Sequence, residues 1–152
     1  MQTLPDFRDA SLPWSTVCAA LDLRPHPEGG HYRELWRDQP ESGGRGAASS
    51  ILFLLGSGDR SHWHRVDASE LWIWQAGAPL LLSLCGAGGN RRTIRVGPDA
   101  GAGEAFQGVV PPFVWQEACS AGAWTLVSCI VAPAFQFDGF ELAPPGWSPD
   151  QA

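Results

Sequence analysis

Nine short runs rich in Val, Ile, Leu, Phe or Trp follow one another between residues 31 and 132, and clusters of Gly, Pro, Asp or Asn separate most of them. Runs of this length, punctuated this regularly, predict strands, and a series of them predicts an all-β sandwich or barrel. The strands are expected at 31–37, 47–55, 60–66, 69–76, 79–84, 91–96, 105–110, 113–118 and 123–132. One helix is expected ahead of them at 12–21, where Trp14, Val17, Cys18 and Leu21 recur at helical spacing, with Ser11 as its cap and Pro13 in its first turn. A chain of 152 residues with 44% hydrophobic content suits one core, so residues 1–152 are read as a single domain. The tail from Pro144 to Ala152 is Pro-rich and is expected to fray.

The charged residues exclude several function classes. Sixteen acids outweigh ten bases for a net charge of -6, and every base is Arg. Without a Lys, Schiff-base chemistry and a Walker A phosphate loop are ruled out. An acidic chain with scattered arginines is no nucleic-acid surface. No run of 18 apolar residues occurs, and Met1 to Ala10 lacks a basic-then-apolar leader, so the expectation is a soluble cytoplasmic protein without a membrane role. No Gly-x-Ser-x-Gly occurs, which removes the serine-hydrolase reading. Cys18, Cys85, Cys119 and Cys129 sit among apolar neighbours with no Cys-x-x-Cys spacing and are read as buried free thiols.

Chemistry concentrates between Gly56 and Gly77, which holds two of the four histidines. On a strand over 60–66, His62 and His64 would share a face, because side chains alternate with a period of two. Val66 to Ser69 is short and polar enough to turn, which would bring Glu70 on the next strand beside both imidazoles. Two imidazoles and a carboxylate form a workable shell for Fe, Mn, Ni or Zn, with His62, His64 and Glu70 as ligands.

The spacing Gly-x5-His-x-His-x5-Glu-x6-Gly resembles the first motif of the cupin superfamily, whose gap between the second His and the Glu is usually one or two residues shorter. Val110-Pro111-Pro112-Phe113-Val114-Trp115-Gln116 is similar to the second motif, with Phe113 where that motif has Gly and Gln116 where it has His. Gln116 would be the fourth, weaker ligand, and the resemblance implies weak or partial metal occupancy. A narrower resemblance runs along nearly the whole chain. Leu23 to Gly30, Tyr32-Arg33-Glu34, Ser50 to Leu55, Trp63 to Asp67, Glu70-Leu71-Trp72, Gly77 to Leu80, Val109 to Pro111, Val131 to Phe135 and Phe140 to Ala143 resemble, in order, the blocks of the cupin_5 (DUF985) family. The family implies a small double-stranded β-helix, a jelly-roll-like barrel with its core at about 28–143, with relatives among nucleotide-sugar epimerases and seed-storage-like proteins.

Three function classes follow. The first is a small-molecule-binding cupin with a polar, Trp-lined cavity, whose ligand is sugar-like or another compact polar metabolite. On the strand that opens at Glu70, Trp72 and Trp74 would share its face and either stack on a ligand or fill the barrel. Arg33 is expected to reach the cavity in preference to its alternating neighbour Tyr32, since an anionic ligand would want a guanidinium fork. The second class is a metal-independent isomerase or epimerase with His64 as base and Tyr32, the only tyrosine, as acid. The third is a metal-dependent oxygenase or isomerase using His62, His64, Glu70 and Gln116. His26 between two prolines reads as a backbone-binding loop residue, and Glu28-Gly29-Gly30 as a turn that needs positive φ. Edge strands of such a barrel need cover, and a homodimer is the expected partner state.

Overall fold

The computed structural model describes residues 3–149. Helix α1 (Trp14–Ala20) is followed by strands β1 (Arg24–Pro25), β2 (His31–Arg37), β3 (Ser49–Gly56), β4 (Ser61–Val66), β5 (Ser69–Gly77), β6 (Leu80–Cys85), β7 (Arg91–Val96), β8 (Gln107–Val110), β9 (Trp115–Ser120), β10 (Trp124–Ala132) and β11 (Phe140–Leu142). Two antiparallel sheets form, in the orders β1-β2-β3-β10-β5-β8 and β11-β4-β9-β6-β7. All nine expected strands and the helix are present, with ends shifted by one or two residues. Strands β1 and β11 were not expected; they are two and three residues long and exist only by pairing with β2 and β4.

The inner faces of the two sheets meet in the main core. Phe53 and Leu55 of β3, Trp72 of β5 and Val127 of β10 face Leu80, Leu82 and Leu84 of β6 and Ala118 of β9. The outer face of β3 and β10 is also apolar, since Leu54, Trp124 and Leu126 pack under α1 through Val17. That double burial explains why β3 reads as an unbroken apolar run from Ile51 to Leu55 and why β10 carries only Thr125 and Ser128 as polar residues. Trp124 Nε1 donates to the Leu12 carbonyl at 2.7 Å and ties the helix entry to the sheet. Ser11 does not cap α1: its hydroxyl donates to Asp9 Oδ1 at 2.6 Å, and Pro13 occupies the N-cap without a side-chain hydrogen bond.

The tail is docked as far as it is described. The Trp147 ring packs at a tilt against Trp115, centroids 4.6 Å apart, beside a cluster of Trp63, Cys85 and Ala143, so the expected fraying gives way to partial aromatic burial; residues 150–152 lie outside the described residues. All four cysteines are free: Cys85 and Cys129 are buried, while Cys18 and Cys119 are half-buried.

The turn between β8 and β9 keeps the backbone of a glycine without the glycine. Phe113 has φ +63°, and its N–H donates to the Val66 carbonyl at 2.8 Å. A left-handed conformation costs an L-residue roughly 1–2 kcal/mol, and the Phe113 ring is 63% exposed, so little packing repays it. Phe113→Gly is therefore expected to raise the unfolding free energy by about 1 kcal/mol, net of the extra freedom of an unfolded glycine. Urea denaturation checks this, and a loss of stability would show that the ring contributes more than its exposure suggests.

Candidate ligand-binding site

A cavity of about 70 Å³ opens between the two sheets. Strands β2, β3, β4, β5 and β10 line it, together with the 26–28 loop and the Phe137–Phe140 segment. Two irregularities in the strands decide which side chains enter. On β2, Glu34 pairs with Ile51 and Trp36 with Ser50, so Leu35 is an extra residue. This bulge lets Tyr32, Glu34 and Arg37 all line the cavity, although 37 has the opposite parity. On β4, Ser61 pairs with Ala118 and His64 with Gln116, so three steps on β4 span two on β9.

The second bulge corrects the expected His pair. His64 is 1% exposed and lines the cavity, whereas His62 leaves that row and donates from Nε2 to the Pro144 carbonyl at 2.9 Å. The choice between Tyr32 and Arg33 is also reversed: Tyr32 lines the cavity and Arg33 is exposed, because period-two alternation from the bulge sends residue 33 outward. Trp72, expected to line the cavity, lies beneath it in the main core, where its ring meets Phe53 edge-on at 5.6 Å. Trp74 packs against the same core and donates from Nε1 to the Ala78 carbonyl at 3.2 Å. Gln116 is fully buried under Glu70. Its Oε1 accepts from Trp72 Nε1 at 2.8 Å, and its Nε2 donates to Glu70 Oε2 at 2.8 Å. Because an indole N–H can only donate, it fixes which end of the amide faces the carboxylate.

Glu28 is the lining residue that sequence reasoning passed over. Gly29 and Gly30, at φ +109° and +70°, turn the loop back on itself, and a Cβ on Gly29 would collide with the Arg60 carbonyl. The Glu28 carbonyl accepts the His62 N–H at 2.8 Å and holds the loop against β4. Its carboxyl is thereby carried inside, where Oε1 accepts from Ser61 Oγ at 3.0 Å and Oε2 lies 3.3 Å from His64 Nε2 and 3.6 Å from His26 Nδ1. A lone His-Pro-Glu-Gly-Gly turn carries no period that predicts burial; the usable signal was a carboxylate flanked by the two glycines a tight re-entrant turn needs.

The electrostatics follow from burial. Desolvation pushes the Glu28 carboxyl up to about 8 against a smaller opposing effect of Ser61. Desolvation also pushes Glu70 up to about 7; the charge of Glu28 adds to this, while His64 and the Gln116 amide oppose it. Both imidazoles are driven toward the neutral form, His64 by desolvation and His26 by desolvation and then by His64, which brings His26 down to about 4. His64 Nδ1 faces the His62 carbonyl at 2.7 Å, so the ring proton sits there and Nε2 keeps its lone pair. His26 Nδ1 accepts the Glu28 N–H at 3.1 Å.

The metal set implied by the motif does not come together. Of His62, His64, Glu70 and Gln116, only His64 and Glu70 line the cavity; His62 is turned to Pro144, and both polar ends of Gln116 are used. Among the described residues there is no group of three or more His, Cys, Asp or Glu side chains placed to hold a metal ion. That donor set does not fit a bound metal.

A family model described as Cupin superfamily (DUF985), Cupin_5, matches residues 15–143. The chain belongs to the Cupin_5 family. This Cupin_5 chain is similar to a solved protein of Shewanella oneidensis at 37% identity, covering 84% of this chain and 82% of that one with a TM-score of 0.79. It is also similar to a hypothetical protein from Leishmania major at 31% identity, covering 85% and 86% of the two chains with a TM-score of 0.76. A Bacillus subtilis oxalate decarboxylase mutant shares the fold, with a TM-score of 0.63 at 13% identity over 80% of this chain and 30% of that one. No curated protein matches this Cupin_5 chain. Among the described residues no helix is long and apolar enough to cross a membrane.

Proposed function

We propose that this cupin binds a compact polar small molecule whose polar end enters the cavity and meets Glu28, His64 and Glu70. The observation that carries this reading is the convergence of two carboxyls and two imidazoles, each less than a tenth exposed, on one small space. Burying so many ionisable groups is costly, and a cleft where desolvation and charged neighbours perturb them together has the character of a functional site. A cavity of about 70 Å³ is roughly half the size of one that encloses benzene. It takes a group of a few heavy atoms, and a sugar would enter by one edge only. The test is a thermal-shift panel of hexoses, hydroxy acids, amines and amides. Hits that disappear in His64→Ala and Glu70→Gln are expected, and a panel with no hit on the parent would defeat the reading.

The isomerase reading keeps one specific support: Tyr32 and His64 both line the cavity, and His64 Nε2 is the unprotonated nitrogen that a general base requires. Transfer of deuterium from solvent to the carbon next to the carbonyl of a keto sugar, abolished in His64→Ala, distinguishes catalysis from binding.

A further inference from the structure

We infer that the ligand's polar end is an organic cation bearing N–H donors, an ammonium or a guanidinium, which the buried carboxyls of Glu28 and Glu70 receive behind an aromatic mouth. The inference rests on the binding reading above and adds the charge of what is bound. The first support is the balance of donors and acceptors around the cavity. Its one lining guanidinium, Arg37, already gives two hydrogen bonds to Glu34, at 3.0 and 2.8 Å, and one to the Phe135 carbonyl at 2.6 Å. Its charge is thus paired with Glu34, and three of its five N–H groups point to Glu34 and Phe135. His64 Nε2 is an acceptor, since its other nitrogen donates to the His62 carbonyl, and the Glu28 carboxyl 3.3 Å from it becomes an acceptor for the ligand once an arriving cation displaces its proton.

Glu70 supplies the second, independent support. It is 6% exposed and lines the cavity, and only its Oε2 has a hydrogen-bond partner, Gln116; among the described residues its other oxygen has none. On a residue this buried, an oxygen that has no donor from the protein is an acceptor left open on the cavity side, where a ligand N–H can reach it. Phe135, Phe137, Phe140 and Tyr32 also line the space, and the three phenyl rings pack edge-to-face with centroids 5.0 to 6.0 Å apart. Such walls attract a cation by their ring faces and shelter an alkyl tail.

Propylamine and methylguanidine, with propionate and 1-propanol as charge controls, test this by titration calorimetry on the full chain. Saturable binding of the two cations is expected, with both controls weaker. Glu70→Gln should weaken the cations by roughly tenfold to a hundredfold, the range for hydrogen bonds to a charged group. Should that variant fail to fold, Phe137→Ala at the exposed mouth should still weaken them by about two- to fivefold. Propionate or propanol binding more tightly than the cations, or unchanged cation affinity in Glu70→Gln, would overturn the inference while leaving a small-molecule site in place. No binding by any of the four probes overturns it as well, and the wider panel then decides whether the binding reading falls with it.

Discussion

Replacing Glu28 with Gln is expected to make the protein less sensitive to alkaline pH, with the stability advantage of the variant growing by about 2 kcal/mol between pH 6.5 and pH 8. In the folded chain the Glu28 carboxyl holds its proton up to about 8, against an ordinary value of 4.5. Below the lower value both states are neutral and the group costs nothing. As pH rises from there toward 8, the unfolded chain gives up the proton first, so the stability associated with the neutral group is lost progressively. Glu70, at about 7, acts with the same sign. His26 and His64 act in the opposite sense: their folded values are lowered, so their contribution is present above about 6.5 and lost only as pH falls. The decline on the alkaline side therefore isolates the carboxyls. A Gln resembles the protonated Glu28, with a carbonyl for the Ser61 hydroxyl and an N–H for the side of His64 that carries the lone pair. Urea titrations of both proteins at half-unit pH steps measure the effect; parallel curves would mean that Glu28 ionises normally in the fold.

Gln116→Leu is expected to destabilise the protein by about 2–4 kcal/mol although it conserves volume. The change strands two groups at once. Trp72 Nε1 loses its acceptor in the fully buried core, and Glu70 Oε2 loses its donor on a residue only 6% exposed. Loss of the amide also removes one of the two influences that hold Glu70 down, so its proton affinity should rise further. Trp72→Phe is the matching control, because it removes one of the two hydrogen bonds and retains most of the ring. Chemical denaturation of the two variants together separates the network from packing, and a Gln116→Leu cost below that of Trp72→Phe would refute the network.

How much of this was legible in the sequence differs between fold and site. The nine long strands announce themselves because turn chemistry between them is local, and the family blocks fix their order. The strands that were missed, Arg24–Pro25 and Phe140–Leu142, have no pattern of their own and are imposed by β2 and β4. At the site, the misplaced histidine and the unforeseen Arg37 trace to strand parity, whereas Trp72 and Gln116 keep the expected face but lie too deep to reach the cavity. The strict alternation that places His62 with His64 holds only if β4 is regular, and the extra residue between Ser61 and His64 breaks it. The bulge at Leu35 likewise admits Arg37, which regular alternation would exclude. Glu28 was beyond reach for a different reason: what buries it is the docking of its loop on β4 through the His62 N–H, a contact 34 residues away in sequence.

The hydrogen-bonded line from the Trp72 indole through Gln116 to Glu70 gives the cavity a built-in spectroscopic reporter. Electron density withdrawn from or returned to the carboxylate polarises the amide, and the amide polarises the indole N–H at the far end. That proton lies in the dry core, two bonds removed from anything entering the cavity, and indole N–H resonances fall in a sparse region of the proton spectrum. Its chemical shift should track both the ionisation of Glu70 and the arrival of a ligand, while rings and amides in contact with the ligand are confounded by direct shielding. Eight indoles must be told apart, and a Trp72→Phe spectrum assigns this one by its absence.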